Sequence, residues 1–222
     1  MIGLRRGVVG KTVDPNLKLE LKFNSQVFTD VAGTVAAGTN DYVRAWRSTV
    51  GGHLLTQATD AARPQRQSDG LYFDGGDFVI APSGTAFSPG ALDFSISFWV
   101  KTTNTSRFDL FNNLGCGYYI WSSGSTEAFG VGALGLQWAA DYKNGAWHFL
   151  EYGGTGGNSI YVRRDGVQVA TATGTYNLTG AGVLCIGKHY IDGSYFFVGS
   201  IADIRFFLGY APKYSTPPTR SS

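Results

Sequence analysis

Charged residues are scarce in this 222-residue chain, and no apolar run reaches the length of a membrane span. Asp, Glu, Lys and Arg together make up only 15% of the residues, and the formal net charge is +2. A balance so close to neutral argues against a general attraction to nucleic acid. The first residues contain no apolar stretch of signal-peptide length, so we expect neither a secretory leader nor a membrane anchor. The protein would then leave a cell by lysis, by another secretion route or as part of a larger particle.

Cysteine and histidine are too few to build a disulfide framework or a zinc site. The two cysteines, Cys116 and Cys185, lie far apart, and the three histidines form no cluster with them. Both cysteines lie in apolar runs, which favours buried free thiols over the alternative, a disulfide between them. A catalytic Cys–His pair would need Cys116 beside His148 or His189, and neither histidine lies in a recognisable catalytic motif.

The sequence also lacks the closely spaced acidic residues of a glycoside hydrolase. A retaining enzyme needs two carboxyl groups about 5 Å apart. On one face of a strand they would have to recur within a few residues, as in Glu-x-Asp-x-Glu, and no such run is present. We therefore predict a protein without enzymatic activity.

Short stretches with a two-residue period dominate what is present. In residues 94–101, Phe-Ser-Ile-Ser-Phe-Trp-Val-Lys, every even position is large and apolar, which is the pattern of a strand with one buried face. The same period returns in residues 17–23 and 202–206. Glycine is abundant at 31 residues and aromatics reach 14%, which suits short strands joined by tight turns. No segment keeps a helical period over several turns, although residues 42–46 fit either a strand or a short helix.

Turn residues predict two hairpins. Asp165-Gly166 supplies the positive φ angles of a two-residue turn between residues 159–164 and 167–171. Asp74-Gly75-Gly76 separates residues 71–73 from 77–81 in the same way. Further strands are predicted at 107–112, 116–122, 129–131, 136–140, 146–152, 183–187 and 195–207.

These strands predict an all-β fold, an antiparallel two-sheet jelly-roll sandwich. We place the sandwich at residues 17–208. A basic, glycine-containing N-terminal arm at residues 1–16 would precede it, and a proline-containing C-terminal tail at residues 209–222 would follow it. A nucleic-acid-binding role for the basic arm is the alternative to a docking role.

Five stretches, taken in order, resemble the laminin G-like branch of the concanavalin A-like lectin/glucanase superfamily. They are residues 71–77, residues 94–101, Trp147-His148-Phe149 followed by residues 160–170, residues 184–187 (Leu-Cys-Ile-Gly), and residues 197–205 (Phe-Val-Gly-Ser-Ile-Ala-Asp-Ile-Arg). The order and spacing agree from about residue 17 to 207. The resemblance implies a concanavalin A-like, jelly-roll sandwich and a lectin-like function.

No cofactor is required by any motif, but the resemblance suggests calcium, which this family often carries on its convex side. By position, the calcium ligands would be Asn24 and Asp203. Calcium prefers oxygen ligands. The alternative is that Asp203 pairs with Arg205 or faces water.

A narrower resemblance concerns residues 43–64. Val43-Arg44-Ala45-Trp46 and residues 54–64, Leu-Leu-Thr-Gln-Ala-Thr-Asp-Ala-Ala-Arg-Pro, are similar to a linker common in laminin G-like domains of bacteriophage virion and tail proteins. Residues 48–52 depart from that linker, which weakens the case for a metal or sugar contact there. The resemblance implies a virion structural protein, a head-decoration or tail-fibre module bound to other virion proteins through its terminal arms. The alternative is a stand-alone bacterial carbohydrate-binding protein.

Aromatic residues cluster in the middle strands and suggest contact with host glycans. Flat aromatic rings offer stacking surfaces for a pyranose. Strand alternation puts Tyr119 and Trp121 on one side and Tyr118 on the other, so only part of the cluster can face solvent. The competing interpretation is that these rings belong to the core. The predicted ligand-binding residues are Tyr119, Trp121, Trp138 and Tyr142, with Asn112, Asn113 and Gln137 as hydrogen-bond partners.

Overall fold

Strands make up nearly all the regular structure. The computed structural model describes residues 13–113, 115–191 and 193–222. Within these ranges the one helical element is a three-residue 3₁₀ turn, Asp60–Ala62. The described residues therefore contain no helix that could span a lipid bilayer. The strands in chain order are β1 Leu17–Leu21, β2 Val27–Phe28, β3 Ala45–Arg47, β4 Leu54–Thr56, β5 Gln65–Arg66, β6 Leu71–Asp74, β7 Val79–Ile80, β8 Phe94–Lys101, β9 Phe108–Asn113, β10 Tyr118–Ser123, β11 Thr126–Val131, β12 Leu134–Ala139, β13 His148–Thr155, β14 Ser159–Arg164, β15 Val167–Thr173, β16 Cys185–Ile186 and β17 Val198–Leu208.

The strands pair into two antiparallel sheets. Sheet A follows the order β15-β14-β13-β8-β17-β6-β5, and β1 also pairs with β17. Sheet B follows the order β12-β11-β10-β9-β16-β7-β4-β3-β2. The predicted all-β, two-sheet sandwich is confirmed. Residues 1–12 of the predicted N-terminal arm lie outside the described residues.

Side chains that alternate inwards from both sheets fill the interior. Phe98 of β8 stacks on Phe111 of β9 with ring centroids 4.7 Å apart, and its ring lies 5.8 Å from that of Tyr152 in β13. Ile204 of β17 is also fully buried. Burying each such side chain stabilises the fold by roughly 1.5–3 kcal/mol before entropy is counted. As the two-residue period of residues 94–101 predicted, one face of β8 lies inside the core.

The Asp165-Gly166 turn joins β14 to β15 as predicted. The two residues have φ angles of 50° and 86°, which a two-residue turn of this hand requires. The Asp165 carboxylate also accepts the backbone N–H of Phe149 at 2.8 Å and lies 2.6 Å from Nδ1 of His148. His148 is thus held on β13 by Asp165, whereas the Cys116 thiol contacts the Gly180 carbonyl.

The second predicted hairpin is wrong. β6 pairs within sheet A, whereas β7 pairs within sheet B. Between them the Asp77 carboxylate accepts the N–H of Asp74 at 2.9 Å, and the Asp74 carboxylate accepts the N–H of Gly76 at 2.8 Å. The chain therefore arches from one sheet to the other. Phe73 and Val79 are both fully buried, and filling the core from opposite sheets outweighs the local preference for a hairpin.

The predicted C-terminal tail lies along the outer side of sheet A. The backbone N–H groups of Lys213 and Tyr214 donate to the carboxylate of Glu151 at 3.0 and 2.9 Å. Arg163 Nε donates to the Tyr214 carbonyl at 3.0 Å, and the Ser221 N–H donates to Asp203. We call residues 209–222 the C-terminal strap. These four hydrogen bonds satisfy backbone groups of the strap with side chains of the sheet, which helps an extended, proline-containing segment to pack there.

Both cysteines are free and buried, as predicted. Cys185 lies on β16 and is fully buried. Burial raises the pKa of its thiol to about 12. The thiol therefore stays protonated at neutral pH, which makes it a poor nucleophile.

Candidate functional site

Small residues flank two aromatic rings on the outer side of sheet B. Strands β10 and β11 pair so that Tyr119 lies opposite Gly130 and Trp121 lies opposite Ala128. The neighbours of these two small residues on β12 are Gly135 and Gln137. Because glycine and alanine leave space on the sheet, the two rings are not covered by side chains of β11. We call this surface the aromatic face, formed by Tyr119, Trp121, Ala128, Gly130, Gly135 and Gln137.

The position of the Tyr119 ring depends on a glycine. A Cβ atom at Gly130 would lie only 2.1 Å from Cζ of Tyr119. The ring therefore occupies the space directly over that glycine. A Cβ atom at Gly135, its cross-strand partner, would have nothing within 4 Å. An open groove thus continues beside the ring.

Two cavities share the rings of Tyr119 and Trp121. A cavity of about 330 Å³ lies on the β11–β12 side, where Gln137 is among its lining residues. A second cavity of about 190 Å³ lies on the β9 side and is lined by Arg107, Asp109, Tyr119, Trp121 and His189. Ligand pockets typically start near 300 Å³. The two cavities together therefore suit a small saccharide that lies across both rings.

Larger hollows occur elsewhere on the described surface, but their linings are less suited to a ligand. One of about 470 Å³ lies beside Leu17 and Thr49 and has no aromatic lining residue. Another of about 510 Å³ lies beside His53 and Phe87, and Phe87 is itself buried. Each of the two cavities beside Tyr119 and Trp121 is smaller, but together they combine two accessible rings with polar and charged lining residues. We therefore take the aromatic face and its two cavities as the candidate site.

Arg107 and His189, which lies in the loop after β16, border the smaller cavity. The N–H of Asp109 donates to the Tyr195 carbonyl at 2.9 Å, which ties the loop to β9. Tyr195 has a φ of 58°, a left-handed conformation that is uncommon for residues other than glycine. Its ring centroid lies 3.8 Å from the guanidinium carbon of Arg107, which is also 5.3 Å from the Trp121 ring. Tyr195 thus adopts an uncommon backbone conformation, and its ring packs against Arg107 and holds it beside the cavity.

The structure brings together two of the four predicted ligand-binding aromatics. Tyr119 and Trp121 share the aromatic face, but Trp138 turns to the other side of sheet B. The Trp138 ring lies 5.9 Å from that of Tyr152 in the interior. Tyr142 is 0% exposed. The prediction that Trp138 and Tyr142 contact a ligand is therefore corrected. Both rings pack in the interior, because removing their apolar surface from water stabilises the fold.

Of the predicted hydrogen-bond partners, Gln137 is the one that reaches the cavity. Asn112 is fully buried and donates through Nδ2 to the Lys188 carbonyl. Asn113 is also buried, and its Oδ1 accepts the N–H of Cys116 at 3.2 Å. Sequence reasoning missed Arg107, Asp109 and His189. The two-residue period of an extended segment places Arg107 and Asp109 on the same side, but only strand pairing and the loop after β16 bring Trp121 and His189 to them.

The carboxyl groups near these strands lie on opposite sides of sheet B. Among the described residues that line the two cavities, Asp109 alone carries a carboxyl group. Glu127 faces the interior, where it accepts a hydrogen bond from the Tyr152 hydroxyl. Burial raises the pKa of Glu127 to about 7, against the lowering effect of that hydrogen bond. The aromatic face thus presents groups that can bind hydroxyls rather than the carboxyl pair of a retaining hydrolase.

The predicted calcium ligands both contact the end of the strap. Asn24 Nδ2 donates to the Ser222 carbonyl at 3.0 Å, and Asp203 accepts the N–H of Ser221. Arg205 pairs with Glu20 at 3.3 Å instead of with Asp203. Calcium takes about six to eight oxygen ligands, and no group of three His, Cys, Asp or Glu comes together in the described part of the chain. These donors are too few to fit the ion, and calcium binding stays a prediction that they do not favour.

Comparison with known proteins finds relatives of the fold. A family model of the laminin G type, described as the concanavalin A-like lectin/glucanases superfamily, matches residues 73–209. No curated protein matches the sequence. One similar solved structure is the binding domain of Paraclostridial Mosquitocidal Protein 1, with a TM-score of 0.64 and 9% identity over 89% of this chain and 50% of that one. Another is the receptor binding domain of botulinum neurotoxin C/D mosaic serotype, with a TM-score of 0.62 and 12% identity over 90% of this chain and 50% of that one. A third is the binding domain of Botulinum Neurotoxin DC in complex with SialylT, with a TM-score of 0.59 and 13% identity over 90% of this chain and 49% of that one. The chain spans about half the length of these domains, and at such identities the likeness shows the fold alone.

Proposed function

The chain belongs to the concanavalin A-like lectin/glucanases superfamily, and from that membership we propose that it is a non-enzymatic carbohydrate-binding module. The observation that carries the proposal is the pair Tyr119 and Trp121, half-buried on the outer side of sheet B with a cavity on either side. Half-buried rings beside small residues offer flat apolar surface to the C–H face of a sugar ring.

Polar groups at the edges of the two rings supply the rest of a sugar site. The Gln137 side chain can donate to and accept from hydroxyls, and the Asp109 carboxylate can accept from them. One of the toxin binding domains with this fold was solved in complex with SialylT, which supports the choice of a saccharide as ligand. The ligand would lie across β10 with its ring against Tyr119 or Trp121.

A glycan array probed with the full chain tests the proposal. Each hit is then titrated calorimetrically with wild type, Tyr119→Ala and Trp121→Ala, and we expect at least one of the two variants to weaken binding about tenfold or more. Tyr42→Ala is the matched control, since Tyr42 is 52% exposed and lines neither cavity. Absence of any bound glycan, or unchanged affinity in both cavity variants, would overturn the proposal.

We further propose that the module is part of a phage virion, as a head-decoration or tail-fibre component. The support is the resemblance of residues 43–64 to segments of phage virion proteins, a stretch that forms β3 and β4 of sheet B. The N-terminal arm would attach the module to other virion proteins. Mass spectrometry of purified particles tests this role, together with particle binding by a variant that lacks residues 1–16. A protein that binds glycans but is missing from particles would favour the alternative, a stand-alone bacterial lectin.

A further inference from the structure

Arg107 is an exposed cation held at the aromatic face by two rings. It precedes β9 by one residue and lines the cavity of about 190 Å³. Its guanidinium carbon lies 3.8 Å from the Tyr195 ring centroid and 5.3 Å from the Trp121 ring centroid. Such stacking limits the rotamers of a long side chain, so less conformational entropy is lost when it binds a ligand.

The stacked guanidinium keeps its hydrogen-bond donors available. Contacts with aromatic rings use the flat faces of the group, whereas its N–H donors lie in its plane. In the described part of the chain Arg107 forms no ion pair. A planar fork of donors that is fixed in place and open to solvent matches a carboxylate, which it can bind through two parallel hydrogen bonds.

The two oppositely charged residues of this cavity, Arg107 and Asp109, lie at different depths. Asp109 is only 1% exposed, so its carboxylate lies at the bottom of the cavity while Arg107 lies at the rim. His189 lines the same cavity. An anionic group can meet Arg107 at the rim, and the Asp109 carboxylate below can accept a hydrogen bond from a ligand hydroxyl. The two groups together suit a ligand with an acid group at one end and hydroxyls at the other.

We propose that the saccharide bound at the aromatic face is acidic, with its carboxylate held by Arg107 and its ring on Tyr119 or Trp121. This inference rests on the proposed carbohydrate-binding function and names its ligand class. Uronic and sialic acids carry such a carboxylate, whereas a sulfated sugar offers a tetrahedral anion to the same donors.

Matched glycan pairs test the inference. The full chain is titrated with sialyllactose against lactose, with an oligogalacturonide against its methyl ester, and with a sulfated oligosaccharide. We expect the carboxylated member of at least one pair to bind about tenfold or more tightly than its neutral partner, and more tightly than the sulfated sugar. Binding should weaken as salt rises, because the ion pair at the exposed rim is screened.

Variants of Arg107 separate the acid group from the ring contacts. Arg107→Gln should reduce the preference for the carboxylated member to about twofold or less. Arg107→Lys should keep only part of the wild-type preference, because an ammonium group cannot form the two parallel hydrogen bonds of a guanidinium. Thermal melting of both variants checks that they fold. Equal affinity for charged and neutral members, an unchanged preference in Arg107→Gln, or a preference for sulfate would overturn the inference.

The two proposals fail in different ways. Neutral glycans that bind through Tyr119 and Trp121, with no effect of Arg107, would leave the carbohydrate-binding function standing and exclude an acidic ligand. A chain that binds none of the glycans would exclude both.

Discussion

The backbone N–H of Tyr214 donates a 2.9 Å hydrogen bond to the carboxylate of Glu151, a fully buried residue on β13. Glu151 alternates with Leu150 and Tyr152, which point into the core, so its carboxylate lies on the outer side of sheet A. There it also accepts the Tyr161 hydroxyl at 3.0 Å. Without the strap, this polar side of the sheet would lose two backbone donors. The last residues of the chain are thus part of the folded structure of the sandwich.

Removing the strap should destabilise the protein. Truncation after Leu208 deletes the Lys213 and Tyr214 N–H donors and uncovers the Phe149 ring, whose centroid lies 5.4 Å from that of Tyr214. Each hydrogen bond to a charged group contributes roughly 1.5–3 kcal/mol. We expect the free energy of unfolding, measured by urea denaturation, to fall by about 3 kcal/mol or more. Truncation after Thr216 keeps both donors and should have a clearly smaller effect; equal effects of the two truncations would contradict this role.

Glu127 should make stability depend on pH. Burial raises its pKa from 4.5 to about 7, so the folded protein keeps a proton that the unfolded chain releases. The stability that comes from the neutral carboxyl is fully present below pH 4.5 and is lost as the pH rises to about 7, in total about 3 kcal/mol. Glu127→Gln cannot ionise and should lack this loss. Urea denaturation between pH 5 and pH 8 compares the two slopes.

Glu20 is the matched control for this experiment. Burial raises its pKa, but a 2.6 Å hydrogen bond from Thr49 and the charges of Lys22 and Arg205 outweigh it, so its pKa is lowered. Its contribution to stability is present above pH 4.5 and is lost as the pH falls. Denaturation must therefore be extended below pH 4.5, where Glu20→Gln should lack a loss of stability that wild type shows as the pH falls, whereas Glu127→Gln lacks the loss that wild type shows as the pH rises. A change in the same direction for both would show that the wrong group was assigned.

A methyl group at Gly130 should displace the Tyr119 ring without unfolding the sheet. The atoms it would meet belong to the end of a flexible side chain, 2.1 Å away at the nearest. In Gly130→Ala we expect the NMR resonances of the Tyr119 ring to shift, with a stability change of about 1 kcal/mol or less. Gly135→Ala is the control because its Cβ meets nothing within 4 Å. Unmoved Tyr119 resonances in Gly130→Ala would exclude the predicted contact.

The contact between Phe98 and Phe111 should be a major source of stability. Phe98→Ala leaves a cavity between the sheets and should lower the free energy of unfolding by about 3–5 kcal/mol. Val167→Ala, at a side chain that is 67% exposed, should change it by less than about 0.5 kcal/mol. Chemical denaturation of the purified variants measures both. A loss at Phe98 as small as that at Val167 would mean that the two sheets do not share this core.

Local turn chemistry was a reliable guide in one place and misleading in another. Asp165-Gly166 forms the predicted hairpin because its neighbours, β14 and β15, pair within one sheet. Asp74-Gly75-Gly76 has similar residues, yet it connects strands of different sheets. The difference comes from the partners that the flanking strands find far along the chain, β17 for β6 and β16 for β7.

In the candidate site, too, a local pattern predicted some features, and contacts between distant strands decided the others. Alternation along β10 correctly separated Tyr119 and Trp121 from Tyr118, because successive side chains of one strand point to opposite faces. The pairing of β12 with β11 decided that Trp138 faces the interior. The loop after β16 brought Tyr195 to Arg107, a residue far earlier in the chain.

The sequence by itself determined the all-β class, the buried face of residues 94–101 and the free thiols, because these follow from side-chain period and composition along one segment. Only the tertiary structure decided which aromatic rings remain accessible, where the last residues lie and which charges border the cavity. These depend on pairings between distant strands, whose free energies come from filling one common interior and not from any local pattern.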